Sequence, residues 1–290
     1  MDPRQREKND MQPFPAQRRR LYFMLFLLLF AILLPAVILY ADGWRYKPGF
    51  GLVRTGGVYI DVPYPDAAIS INGVQSGHSG FLQRGFLQRG FYIGNLAPSA
   101  YVVRVDRTGY RSWGRILVVE PQLVTDARVL LIPDEIDLTR LAVTGTASST
   151  KLVSRPTYDS YIAAFATSTA ASSTVPVDQS DGIGLFLEKG DVVARWLRTN
   201  PPPSVFCSSP SYCGLDVSVK REGGPALFAQ FFKGGVIYRT KEGGIYFGEI
   251  DVRSTPAGAL LYAAPGADFR VIDEAIIVKS GSALYEVEGL

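Results

Sequence analysis

The sequence predicts a mainly β protein with one N-terminal transmembrane helix. Two observations carry that expectation. Residues 21–40, LYFMLFLLLFAILLPAVILY, hold no charge. As a helix rising about 1.5 Å per residue they reach roughly 30 Å, the thickness of a bilayer's hydrocarbon core. Beyond residue 55, short runs rich in β-branched and aromatic residues recur between Gly, Pro, Asn and Asp, the signature of antiparallel strands. The expected order is a basic tail (1–20), the helix (21–41), a juxtamembrane segment (42–55), a first β domain (56–134), a Ser/Thr/Ala-rich linker (135–181) and a second, irregular β domain (182–290).

The tail is polar, contains Pro3, Pro13 and Pro15, and reads as disordered. Of the 30 basic and 27 acidic residues in the chain, the tail holds six and three, which leaves 24 of each elsewhere. The whole formal excess of +3 therefore belongs to the tail. A neutral remainder gives no electrostatic reason to expect nucleic acid as a partner. Arg18, Arg19 and Arg20 abut the apolar run and are expected to set its topology, with the N-terminus held in the cytoplasm.

Fourteen of the twenty residues in the apolar run are Leu, Ile, Val or Phe. Pro35 lies inside it, and a membrane span tolerates a proline. The rival reading is a cleaved signal peptide. Secretory apolar regions usually run about 7–15 residues, and Leu39 is not the small residue that cleavage after Ala41 would need, so an uncleaved anchor is favoured. The bilayer is thus the first expected partner.

The first β domain is read from VYIDV (58–62), AAISI (67–71), FYIGNL (91–96), YVVRV (101–105), RILVV (115–119) and RVLLI (128–132). Asn72-Gly73 suits a two-residue hairpin turn, because both residues tolerate positive φ. Together these predict an antiparallel sheet or small sandwich. GFLQR at 80–84 is copied at 85–89. A five-residue copy would reverse strand faces if both copies stayed in one strand, so a loop extension or bulge is expected. A slippage insertion is favoured over an exposed binding loop built on Phe81 and Phe86.

Residues 56–134 resemble the PEGA domain, a small β-sandwich of bacterial and archaeal envelope proteins. The resemblance is carried by the AAISING hairpin, the NLAPSAYVVRV run, the RTGYRSW turn and the RILVVE strand. Leu96, Pro98 and Tyr101 match the family's approach to its central strand, while Ser99 and Ala100 stand where a Gly-containing pair is usual. The resemblance implies a non-catalytic surface module for adhesion or assembly.

From Thr144 to Ser180 the composition shifts to Ser, Thr and Ala, which favours a flexible linker or loops. Tyr158, Tyr161, Ile162 and Phe165 are spaced for one apolar helical face. A short helical turn is also expected over 134–140. Beyond residue 181, GIGLFLE, VVARWL, LDVSVKR, ALFAQFF, GVIYRT, GIYFGEI, ALLYA, FRVI, AIIVKS and ALYEVEG read as strands. Their pattern resembles propeller blades, but about 40–45 residues per blade allows only about two and a half, so a partial set of antiparallel sheets is expected.

Cys207 and Cys213, in FCSSPSYC, are expected to form a disulfide on the outer side of the membrane. Two thiols alone do not make a metal site, and a reactive dithiol normally has two intervening residues. Glu249, Asp251 and Arg253 are spaced to share one strand face. They read either as a carboxylate pair for acid/base or metal work, or as a solvated or salt-bridged face neutralised by Arg253, and the second is favoured. Ser76, His78 and Ser79 lack both the strand–turn–helix context and the orienting acid of a nucleophilic site. Trp113 and Trp196 read as sheet packing rather than sugar-stacking platforms, and Trp44 as an interfacial anchor. No catalytic, cofactor-binding or metal-ligating residue is assigned. The expected function is non-enzymatic binding, adhesion or assembly at the cell envelope, with an envelope protein or polysaccharide as partner. The alternative is an extracytoplasmic ligand or carbohydrate sensor acting with a membrane partner.

Overall fold

A computed structural model of the chain describes residues 16–64, 66–78, 90–144, 150–166, 175–219, 223–253 and 258–290. Most of the tail, the GFLQR copies, Ser79 and parts of the expected linker lie outside these residues. So do the side chains of Ser76 and His78. The chain divides into two compact units, Met1–Arg54 and Thr55–Leu290.

In the first unit, α1 (Ala16–Ala41) contains the apolar run, with Pro35 inside it. The segment Gln17–Ala41 is long and apolar enough to cross a membrane. Its large apolar side chains are exposed on every side, so the helix has no polar face of the kind a soluble surface helix carries. A hairpin follows, β1 (Trp44–Lys47) and β2 (Gly51–Arg54), in register from Trp44↔Arg54 to Lys47↔Gly51.

The second unit opens with a sandwich of β3 (Gly56–Asp61), β4 (Ala68–Ile71), β5 (Val74–His78), β6 (Gly90–Leu96), β7 (Ser99–Asp106), β8 (Trp113–Val119) and β9 (Val124–Arg128). One sheet has the order β6-β3-β9 and the other β5-β4-β7-β8. Val58, Ile60, Ile69, Val103, Val105, Trp113 and Leu117 fill the core they share. The Asn72-Gly73 turn forms as expected, with φ of 49° and 78°. At Gly56 the chain runs so close to the Glu120 and Leu123 carbonyls that a Cβ would collide with them. The strand expected at RVLLI (128–132) is corrected: the strand lies at Val124–Arg128 instead. β9 ends at Arg128, where its parallel ladder with β3 stops, and the apolar residues expected to form a strand leave the sheet instead. Leu131 enters the sandwich core, while its neighbour Ile132 enters a second core.

Next come β10 (Asp137–Ala142), β11 (Thr150–Leu152) and α2 (Arg155–Ala164). β10 replaces the helical turn expected over 134–140. Its backbone groups are taken up by two neighbours, β11 on one side and the distant C-terminal strand on the other, and such a ladder outweighs weak local helix preference. α2 starts at Ser154, whose hydroxyl accepts from the Thr157 N–H, with Pro156 in the first turn, where the missing N–H does no harm.

The rest is β12 (Asp178–Ser180), β13 (Ile183–Glu188), β14 (Asp191–Trp196), β15 (Cys207–Ser209), β16 (Tyr212–Cys213), β17 (Asp216–Val219), β18 (Ala226–Phe232), β19 (Gly235–Thr240), β20 (Gly244–Glu249), β21 (Gly258–Tyr262), β22 (Asp268–Ile272), β23 (Ala275–Ser280) and β24 (Ala283–Glu288). Apart from the short β15–β16 hairpin, these strands make three sheets: β12-β13-β14-β17, β18-β19-β20-β21, and β11-β10-β24-β23-β22. Each contains an antiparallel meander of the kind expected for blades, and β10 supplies the strand next to β24 in the last. Among the described residues no sheet closes on itself.

The middle sheet is buried on both faces. Val236 and Tyr238 of β19 pack towards the first sheet's core, and Ile237 between them packs towards the third's. Period-two alternation sends successive side chains to opposite faces. A central sheet therefore needs the continuous apolar run GVIY rather than an alternating one. The outer face of the third sheet is covered by α2. Tyr158, Tyr161, Ile162 and Phe165, the face read from spacing, pack against Leu141, Ile277 and Leu284.

Candidate functional site

The carboxylates singled out in the sequence lie in a buried charge cluster where β8 and β9 of the sandwich meet the end of β20 in the middle sheet. β20 ends at Glu249, so Asp251 and Arg253 lie beyond the strand rather than along it. The favoured reading, a solvated or salt-bridged face, is corrected in its first half, since Glu249, Asp251 and Arg253 are each at most 5% exposed, and holds in its second, since Arg253 pairs with Asp251. What buries them is β8, which brings in Trp113 and Arg115 from more than 130 residues away in sequence.

Every carboxylate oxygen has a partner. Glu249 Oε1 accepts from Trp113 Nε1 at 3.3 Å, and Oε2 accepts from Arg115 Nη2. Asp251 Oδ1 accepts from Arg253 Nε at 2.8 Å and Oδ2 from Arg253 Nη2 at 2.8 Å, a bidentate fork. Oδ1 also accepts from the Arg253 backbone N–H at 2.8 Å, which fixes the turn that carries both residues. Arg115 Nε lies 3.6 Å from Asp251 Oδ2, so its guanidinium bridges the two acids. Arg253 Nη1 donates to the Asp126 carbonyl of β9 at 2.7 Å. The Arg115 guanidinium lies 4.9 Å from the Trp113 ring centroid.

Two buried acids face two buried arginines, so these four charges balance. A general acid or base needs access to substrate and a proton poised near the working pH, and a metal site needs oxygens not already held by cations. Both carboxylates are committed to arginines instead. Sequence reasoning paired Arg253 with the acids but missed Arg115 and Trp113. One signal was available: in WGRILVV, Arg115 shares the inward period with Trp113, Leu117 and Val119, while Ile116 points out. An arginine on a buried face requires a buried acid.

No protein-family model matches the chain, and no curated protein matches it either.

The Cys207–Cys213 disulfide is formed, across the β15–β16 pair in which these residues are register partners. Its hairpin reaches the sandwich. Ser211 in its turn donates to Glu120 Oε2, just past β8, and Ser204, ahead of the hairpin, donates to Asp126 Oδ2 at 2.8 Å. Hydrogen bonds from Ser209, then Ser211, hold the Glu120 carboxyl below its usual range. Removing the disulfide as Cys207→Ser with Cys213→Ser is expected to cost about 2 kcal/mol on the loop-entropy account. Urea melts without reductant would read the loss, and coincident melts of the two proteins would refute it.

The remaining candidates separate. Trp113 and Trp196 are buried; Trp196 Nε1 donates to the Asn200 carbonyl at 2.7 Å, and its ring centroid lies 6.4 Å from that of Phe206. Both are packing residues, as expected. Arg18, Arg19 and Arg20 lie at the start of α1 with exposed side chains. Trp44 begins β1 and donates to Asp42 Oδ2 at 3.1 Å. Among the described residues no group of His, Cys, Asp and Glu is placed to hold a metal ion.

Proposed function

We propose that the chain is a single-pass, envelope-anchored binding protein. Its N-terminus lies in the cytoplasm, α1 crosses the membrane, and the β-rich unit works outside it by non-enzymatic adhesion or assembly with an envelope protein or polysaccharide. The observation that carries this is α1: a helix whose apolar side chains are exposed all round is stable only where lipid covers them. Arg18, Arg19 and Arg20 on one side support the orientation, and the Cys207–Cys213 bond beyond the other side suits an oxidising compartment. The resemblance of residues 56–134 to PEGA domains, together with the sandwich formed there, supports a binding role. So does the commitment of Glu249 and Asp251 to arginines rather than to chemistry.

Protease added to intact cells is expected to digest the β-rich unit and spare a fragment containing α1. Survival of the β-rich unit in intact cells, with loss only after the cells are opened, would reverse the orientation. Release of the chain with a new N-terminus near Asp42 would replace the anchor by a signal peptide. Binding itself is tested by co-sedimentation of the detergent-purified full chain with isolated cell-wall polysaccharide and with envelope membranes, and pelleting with neither would sink the adhesive reading.

A further inference from the structure

The Trp44–Arg54 hairpin is a two-stranded sheet of its own and exposes apolar side chains. Cross-strand partners share a face, so Trp44, Tyr46, Leu52 and Arg54 lie on one side of it. Tyr46 is 77% exposed and Leu52, its partner, 55%; Phe50 in the turn is also 55% exposed. A lone two-stranded hairpin is marginal in water, and these side chains add a further cost of exposure.

The hairpin is fixed to the end of α1. The Asp42 N–H donates to the Ile38 carbonyl at 2.9 Å and the Gly43 N–H to the Tyr40 carbonyl at 3.3 Å. Gly43, at φ 82°, takes the left-handed turn that ends the helix. The Asp42 carboxylate then accepts from Trp44 Nε1 at 3.1 Å and from Arg54 Nη2 at 2.7 Å. Those donors are register partners, so one carboxylate holds both strands at once. Arg45 folds back, its guanidinium 3.6 Å from the Tyr40 ring centroid and donating to the Tyr40 carbonyl at 2.7 Å.

We infer that this hairpin is a lipid-binding foot, seated in the phospholipid headgroup layer of the bilayer that α1 enters. The inference rests on the anchoring reading above. Trp44 is three residues past the end of α1, so it lies within about 10 Å of the helix end even if the chain is extended. The headgroup layer is about 5–8 Å deep on each side of the hydrocarbon, so the start of the hairpin falls in or at the edge of that layer. Its composition fits: aromatic rings with polar tips are favoured there. Arg45, Lys47 and Arg54 against Asp42 give residues 42–54 a net charge of +2, which complements lipid phosphates.

The test uses the full chain in vesicles of phosphatidylcholine and phosphatidylglycerol, kept non-reducing so that the native cysteines stay bonded. An environment-sensitive fluorophore is placed on Tyr46→Cys, Phe50→Cys or Leu52→Cys, with Leu29→Cys as a mid-span control and Leu215→Cys as a control on the β-rich unit. The three hairpin labels are expected to show blue-shifted emission. They should lose emission to a nitroxide at the top of the lipid acyl chain and resist aqueous iodide, whereas the Leu215 label should respond only to iodide. The Leu29 label should be quenched by a nitroxide near the acyl chain's end. Hairpin labels open to iodide would overturn the inference by placing them in water. Labels shielded from iodide yet untouched by lipid nitroxide would overturn it in favour of a protein cover, either a second copy or the Thr55–Leu290 unit. In both cases a deeply quenched Leu29 label leaves the anchor standing. A Leu29 label blind to both lipid nitroxides removes the anchor and this inference together.

Discussion

Glu249→Ala is expected to destabilise the Thr55–Leu290 unit by about 3–5 kcal/mol, because it strands a buried guanidinium. Arg115 would lose its charged hydrogen-bond acceptor, and the nearest remaining carboxylate, Asp251 at 3.6 Å, already holds the Arg253 fork. The Trp113 indole N–H would lose its acceptor as well. Arg115→Ala should do comparable damage from the other side, leaving the Glu249 carboxylate buried without the Arg115 cation. The informative variant is the double, Arg115→Met with Glu249→Leu. Replacing a buried pair by apolar side chains of similar volume is often close to neutral, so the double should recover most of the loss while Asp251 and Arg253 keep each other. Urea midpoints of the parent, Arg115→Met, Glu249→Leu and their double supply the cycle. Single variants that stay within about 0.5 kcal/mol of the parent, the range of surface substitutions, would show that the cluster does not close this junction.

The second large effect is expected at Leu141. It is buried on β10 between the third sheet and α2, against Ile277 and Leu284. Leu141→Ala removes that packing and leaves a cavity, at an expected cost of about 2–5 kcal/mol. The loss should be felt far away in sequence, since β10 pairs with β24 from Asp137↔Glu288 to Leu141↔Leu284. Amide exchange at Leu284 and Tyr285 should therefore quicken more than exchange in the sandwich. Equal quickening everywhere would mean that the site reports only global unfolding, and no change in β24 would rule out β10 as its stabilising neighbour.

The strands that sequence reading recovered are those defined by local signals. GIGLFLE and VVARWL meet at a Lys189-Gly190 turn with both φ positive, and AAISI turns back at Asn72-Gly73. Composition around Cys207 and Cys213 and the spacing of Tyr158, Tyr161, Ile162 and Phe165 are local in the same sense. What escaped was decided by distant partners. β10 looks like a weak helical turn until β24, more than 140 residues later, supplies its ladder. RVLLI reads as one strand, yet its residues divide between two cores. For Glu249 and Asp251, period-two alternation was extended past the end of β20, and the burying residues came from β8, a strand that nothing near Glu249 in sequence announces.

The register of β10 with β24 has a mechanical consequence. Asp137, where the chain arrives from the sandwich, and Glu288, where it leaves the last sheet, are paired at the same end of one antiparallel ladder. The hydrogen bonds of that ladder lie across the strands. Tension between the sandwich and Glu288 would peel the pairs apart one after another from that end instead of shearing them together. Under such a load the third sheet of the Thr55–Leu290 unit is thus the fuse, set to open from Asp137–Glu288.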